Sequence, residues 1–189
     1  MRNEKSTTII ENLCGIICET IEKYFLIISG KQMMEIITSE KTISLFMSMI
    51  KSPFFSENAF PAFNFFISLI NYYSFSQFNV DDLNNEDGKK NLERLEAQPM
   101  IAELVSYFPS ALDRIMRSST MNLYLYRLLE VLCHCISISS LKIFECTRKT
   151  QFFNNLVKLM FTHEKHNILH VLIEKSFLHV FISDRKIYQ

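Results

Sequence analysis

Ser119-Thr120-Met121-Asn122-Leu123-Tyr124-Leu125-Tyr126-Arg127-Leu128-Leu129-Glu130-Val131-Leu132-Cys133-His134-Cys135-Ile136 is the stretch on which the fold turns. Leu125, Leu128, Leu129, Leu132 and Ile136 recur every three or four residues, which stacks them on one side of a helix but scatters them over both faces of a strand. Ser119 and Thr120 offer hydroxyls of the kind that cap a helix N-terminus. Working outward, the same period returns on both sides.

Upstream, Ile9, Leu13, Ile17, Ile21, Tyr24 and Ile28 form a stripe that Gly30 is placed to stop. Ser39 is expected to cap a helix carrying Ile43, Phe46, Met47 and Ile50, with Pro53 ending it. A third helix sets Phe60, Phe63, Ile67 and Ile70 on one face and Phe66, Leu69 and Tyr73 beside it, wide enough to be packed on two sides. Residues 76–91 are the one clear change of composition, polar and acidic with an Asp87-Gly88 turn signal. They read as a surface loop inside a single domain covering residues 1–189.

After the loop, Leu92 and Leu95 and then Ile101, Leu104, Val105 and Phe108 resume the period, with Pro99 in a first turn. Pro109 is expected to open a separate short helix through Leu112 and Ile115. Beyond Ser139-Ser140 come one helix with Leu141, Ile143 and Phe144 and another with Phe152, Phe153, Leu156, Val157, Leu159 and Met160. The last carries Ile168, Leu169, Leu172, Ile173, Phe177 and Val180.

Composition agrees with this pattern. The 189 residues are 48% apolar and include 17 Phe, yet hold only three Gly and four Pro, too few for the turns of a β-rich chain. The expected fold class is all-α. About ten helices, each with an apolar face too broad for a lone pair, suit an armadillo/HEAT-like right-handed helical-repeat solenoid, with a compact multi-helix bundle as the alternative.

Twenty basic and twenty acidic residues cancel, so no overall field favours nucleic acid or an anionic membrane surface. The charges are nonetheless divided: residues 142–189 hold eight Lys/Arg against four acids, and the rest carries the matching acidic excess. A solvated face is the plain reading and an acidic partner surface the functional one. Residues 58–80 lack charge over a length that could span a bilayer, but four asparagines, Gln77 and Pro61 favour a buried helix of a soluble chain. Glu11, Glu19 and Glu22 interrupt the N-terminal apolar stretch in a way no signal segment tolerates. Five cysteines, an odd number without regular spacing, argue against a disulfide framework and for an intracellular, cytoplasmic chain, with the nucleus as the other compartment.

Few residues suggest chemistry. His166 and His170 stand four apart on a helix with His163 near its start, a set able to reach one metal; histidines capping or lining a helix are the other reading. Cys133 and Cys135 fall on opposite sides of their helix and cannot share a metal, and buried free thiols are expected for all five cysteines. With Gly88 at the turn of a calcium loop, the first and last ligand positions would be Leu83 and Arg94, which lack carboxylates. Phosphate-binding glycine loops, nucleophile elbows and kinase signatures are missing from the sequence. The expectation is a protein that is not an enzyme, with no cofactor and no metal.

The segment from Leu159 to Glu174, Leu-Met-Phe-Thr-His-Glu-Lys-His-Asn-Ile-Leu-His-Val-Leu-Ile-Glu, resembles the signature of the SAPS family, L-F-F-x-x-x-x-N-N-x-L-H-x-x-V-E. Leu159, Phe161, Asn167, Leu169, His170 and Glu174 coincide without a gap, Ile173 replaces a valine, and Met160 and His166 depart, the latter replacing the first of the paired asparagines. Leu123 to Leu132, with Arg127, is similar to the family's R-L-x-x-x-R-L-x-x-L-L helix, Asn122 standing at its leading Arg. The likeness covers residues 121–180. It implies a helical-repeat regulatory subunit of protein phosphatase 6-class Ser/Thr phosphatases, here the distal part of the domain or a short divergent member. The partner implied is the phosphatase catalytic subunit, whose substrate choice or location the scaffold directs. Asn167, His170, Glu174 and Arg127 are the partner-binding candidates. On a helix starting near Lys165 the first three share one face, opposite Leu169, Leu172, Ile173 and Val180. The competing reading makes Asn167 and His170 ties to the preceding turn. A helical interaction module without a phosphatase role is the alternative function.

Overall fold

The computed structural model describes residues 2–23, 30–52, 59–75 and 86–187, and among these the regular structure is all helical. Ten helices follow in order: α1 (Arg2–Lys23), α2 (Gly30–Ile37), α3 (Glu40–Lys51), α4 (Ala59–Phe75), α5 (Glu86–Glu96), α6 (Pro99–Met116), α7 (Leu123–Cys135), α8 (Leu141–Lys149), α9 (Phe152–Thr162) and α10 (Asn167–Ile187). Local chemistry sets several of their ends. Ser39, Asn122 and Ser140 each accept a backbone N–H of the first turn with a side-chain oxygen, which satisfies a donor the helix cannot.

The helices pack against one another in a regular order. α1 lies on α4, α4 on α7 and α7 on α10; α3 lies on α6 and α6 on α9. Each of these contacts skips two helices, and closer neighbours in sequence pack as well, α3 on α4, α6 on α7 and α8, and α9 on α10. Between α4 and α7, Arg127 donates to Asn64 Oδ1, and the Ser74 and Ser137 hydroxyls bond at 2.7 Å. Both pairs are 63 residues apart, and two such bonds nearly three turns from each other require helices that run parallel.

α4 is the centre of the core. Phe63, Phe65, Phe66, Leu69 and Ile70 are inaccessible to solvent, and each apolar side chain so buried contributes about 2–3 kcal/mol. Phe46 of α3 stacks on Phe65 with ring centres 4.0 Å apart, and Tyr124 of α7 meets Phe63 edge-on at 5.4 Å. The expected faces of α3 and α7 are in place: Ile43, Phe46, Met47 and Ile50 are buried, as are Leu125, Leu128, Leu129 and Leu132.

Several expectations are corrected. The α7 cap is Asn122, whose Oδ1 accepts from Leu125 N at 2.9 Å, and not Ser119 or Thr120. Gly30 opens α2 instead of stopping α1. On α1, Cys14 and Ile21 are buried while Ile9 and Leu13 are exposed, so the side turned to α4 is the one that carries Cys14, Cys18 and Ile21. Part of the expected 76–91 loop is helical. Glu86 and Asp87 favour the N-terminal end of α5 electrostatically, and Gly88, without a side chain, is buried in its first turn. Pro109 lies inside α6 instead of opening a new helix. It is exposed, and the carbonyl it leaves without its helical partner, Val105 O, accepts the Cys146 S–H at 3.8 Å. Tyr24, Ile28, Pro53 and residues 76–85 lie outside the described residues.

Tyr124 ties α7 to α3. Its hydroxyl donates to Ile50 O at 2.5 Å and accepts from the Arg114 guanidinium at 3.0 Å, and Arg114 also sits 4.7 Å from the ring centre. Removing only the hydroxyl, Tyr124→Phe, leaves a buried carbonyl and a guanidinium short of a partner. Urea unfolding is expected to show a loss of about 1–3 kcal/mol with an unchanged slope.

Candidate protein-interaction site

The segment singled out in the sequence forms the α9–α10 hairpin. Leu159 is buried at the end of α9, and the chain leaves the helix at His163, whose N–H returns to Leu159 O. His166 N bonds His163 O at 2.9 Å, which closes the turn. His166 then caps α10: its Nδ1 accepts from Leu169 N at 3.2 Å, the task an Asn, Asp or Ser oxygen performs elsewhere. The same ring lies nearly parallel to Tyr126 of α7 at 6.3 Å, so the cap is set against the neighbouring helix.

His170, one turn into α10, is half-buried with Nε2 3.2 Å from Met160 O and 3.1 Å from His163 O. Facing two carbonyls, that nitrogen must carry the proton and share it between them. His170 therefore locks the hairpin. Asn167 and Glu174 point to solvent, as does Phe161, 73% exposed. Phe161 and Asn167 line one surface hollow of about 860 Å³ that follows residues 161–168. Exposed ring, amide and carboxylate together offer apolar contact and hydrogen bonding in both senses to a partner surface.

Arg127 is placed elsewhere. It is paired with Glu130 and donates to Asn64, bracing α7 against α4, so its partners lie on α7 and α4 and none is Asn167, His170 or Glu174. No group of three His, Cys, Asp or Glu able to hold a metal occurs among the described residues. His166 Nδ1 and His170 Nε2 are engaged in the turn, whereas His163 Nε2 is buried without a hydrogen-bond partner among the described residues.

The cysteines are free, four of them buried and Cys18 half-buried. Burial pushes the Cys14 thiol up to about 11 and the Cys133 thiol up to about 12, the Ser176 hydroxyl of α10 partly offsetting the second. Cys14 and Cys18 line a groove of about 510 Å³ between α1 and α4 with Glu11 and Glu22. A Cβ on Gly15 would meet nothing within 4 Å, so the glycine opens toward this space. Exposed Phe161 and the groove were not foreseen from sequence. Phe161 belongs to a helical apolar pattern that says nothing of which members face out, and the groove depends on how two distant helices meet. No helix among the described residues is long and apolar enough to cross a membrane.

Two outcomes are expected here. His170→Ala removes the donor that two turn carbonyls share, and should cost about 1–2 kcal/mol in urea unfolding while hydrogen exchange quickens across residues 160–166. His134, half-buried on α7, is held below the usual imidazole range first by burial; Glu130 opposes, and His179, Arg127 and Lys175 add to the lowering. The unfolded chain then binds a proton that the folded chain refuses, so stability falls as pH drops below the unfolded value of 6.5. Thermal melts between pH 7.5 and 5.5 should show a smaller loss for His134→Gln than for the unsubstituted protein.

Comparison with protein-family models, curated proteins and solved structures finds no match to this chain.

Proposed function

We propose that this chain is a non-catalytic scaffold of the SAPS kind, which binds a protein phosphatase 6-class catalytic subunit and directs its substrate choice or location. The observation that carries the reading is how the α9–α10 hairpin divides the signature positions. Leu159, Leu169 and Ile173 are buried and His170 is bonded into the turn, so folding accounts for them. Phe161, Asn167 and Glu174 match the signature yet face solvent, where the fold makes no demand on them. Surface residues of such mixed character, grouped on one hairpin, are suited to a partner.

The architecture that goes with this reading is a right-handed armadillo/HEAT-type solenoid. It is supported by the contact of each helix with the third one after it along α1, α4, α7 and α10, and by the parallel course of α4 and α7. In such an array each repeat covers its neighbour's apolar face and leaves one edge of the stack free for binding.

Reconstitution with a purified catalytic subunit of this phosphatase class tests the proposal. The unsubstituted chain should retain the subunit. Phe161→Ala combined with Glu174→Arg should weaken retention about tenfold or more while the circular dichroism spectrum is unchanged. Absence of retention by the unsubstituted chain overturns the reading.

A further inference from the structure

The groove between α1 and α4 has a layout that partner binding on the α9–α10 hairpin does not use. Its α1 wall is Glu11, Cys14, Gly15, Cys18 and Glu22. At about 100° per residue these five lie within about 100° of one another, a single strip along the helix. Glu11 and Glu22 end the strip, about 16 Å apart along the axis at about 1.5 Å per residue. Both are exposed, and neither is in an ion pair or hydrogen bond among the described residues; Lys23, beside Glu22, is held by Glu19. The opposite wall carries no charge and sets the Phe60 ring, the Ile67 side chain and the Ser68 hydroxyl between the two carboxylates. Arg127 donates to Asn64 on that wall, and its charge is met by Glu130. Gly15, part-way along, leaves the space of a side chain open to the groove.

We propose that this groove binds a linear polyamine, laid along α1 with one terminal ammonium at Glu11 and the other at Glu22. Length is the first fit. An extended chain of about thirteen single bonds of about 1.5 Å, each advancing about 1.25 Å, spans about 16 Å, and that is the reach of spermine between its terminal nitrogens. Chemistry is the second. The methylenes lie on Phe60 and Ile67, while inner ammonium groups meet the face of the Phe60 ring, which attracts a cation, and the Ser68 hydroxyl, which accepts. The space left at Gly15 gives the chain room beside the helix. A compact divalent ion gains nothing from this arrangement, because carboxylates so far apart cannot both reach one metal. One ammonium on one exposed carboxylate is a weak contact; a chain of matching length makes the second contact intramolecular, and the pair holds where either alone does not.

Isothermal titration calorimetry of the full chain with spermine, at an ionic strength of about 0.15 M, provides the test. One site with a Kd of about 10–100 µM is expected. Putrescine, which reaches only one of the carboxylates, should bind about tenfold more weakly or worse, and about 1 mM Mg2+ should leave spermine binding nearly unchanged. Glu11→Gln and Glu22→Gln should each weaken spermine roughly fivefold, whereas Glu164→Gln, the same change of charge on the exposed α9–α10 turn, should not. Gly15→Leu fills the open space without touching either carboxylate and suits a helix better than glycine, so it should abolish binding with the circular dichroism spectrum unchanged. The proposal is overturned by absence of spermine binding, by equal affinity for putrescine and spermine, or by a Gly15→Leu chain that binds as the unsubstituted one does. It is equally overturned if Glu164→Gln weakens spermine as much as Glu11→Gln, since the amine is then held by surface charge alone.

Discussion

Everything else in the molecule follows from having to cover α4. Its 17 residues carry no charge, and its phenylalanines point to more than one side, so a single partner helix cannot remove them from water. α1, α3 and α7 supply the cover. Once three helices surround α4, α7 exposes its own far side and requires α6 and α10, and α6 in turn requires α8 and α9. The order of contacts is the propagation of this one hydrophobic requirement along the chain.

Polar groups then fix what burial alone leaves free, the register of one helix on the next. Hydrophobic contact tolerates sliding; a bonded pair does not. Asn64 with Arg127 and Ser74 with Ser137 pin α4 to α7 near both ends, Tyr124 pins α7 to α3, and Lys51 of α3 reaches Glu103 of α6 at 2.7 Å. The exposed hairpin inherits this rigidity, because His166 rests on Tyr126, two residues after the residue that holds α3.

Helix content and most core faces were legible because they rest on period and composition, both local to the sequence. Ile43, Phe46, Met47 and Ile50 could be assigned from spacing alone. What was illegible depended on partners. Pro109 carries the usual mark of a helix break, but its ring faces solvent and a cysteine 37 residues later serves the carbonyl it frees. Gln151 shows the reverse: the chain turns between α8 and α9 through a left-handed residue, φ 51°, with no glycine or asparagine to announce it. The α1 stripe was misplaced because Ile9 and Leu13 outrank Cys14 and Cys18 in hydropathy, whereas the side that meets α4 runs through Cys14, Cys18 and Ile21. For the hairpin, spacing placed Asn167, His170 and Glu174 on one face, but only the carbonyls of the turn decide that His170 faces inward.

That division bears on what a short motif can mean. At position 166 the chain has His where the resembling pattern has Asn, and the substitution keeps the physics: an imidazole nitrogen accepts the α10 N–H as an amide oxygen would. His170 is likewise required by the turn whatever the protein does. A match at such positions testifies to a hairpin of this construction and to little more, because any chain folding the same turn meets the same need for a cap and a donor. Asn167 and Glu174 are different. An exposed carboxylate two turns into α10 gains nothing from the helix, since negative charge favours a helix near its start and not in its interior, and the Asn167 amide faces solvent. If the likeness reflects a shared partner and not only a shared turn, these two residues and the exposed ring of Phe161 are where it resides.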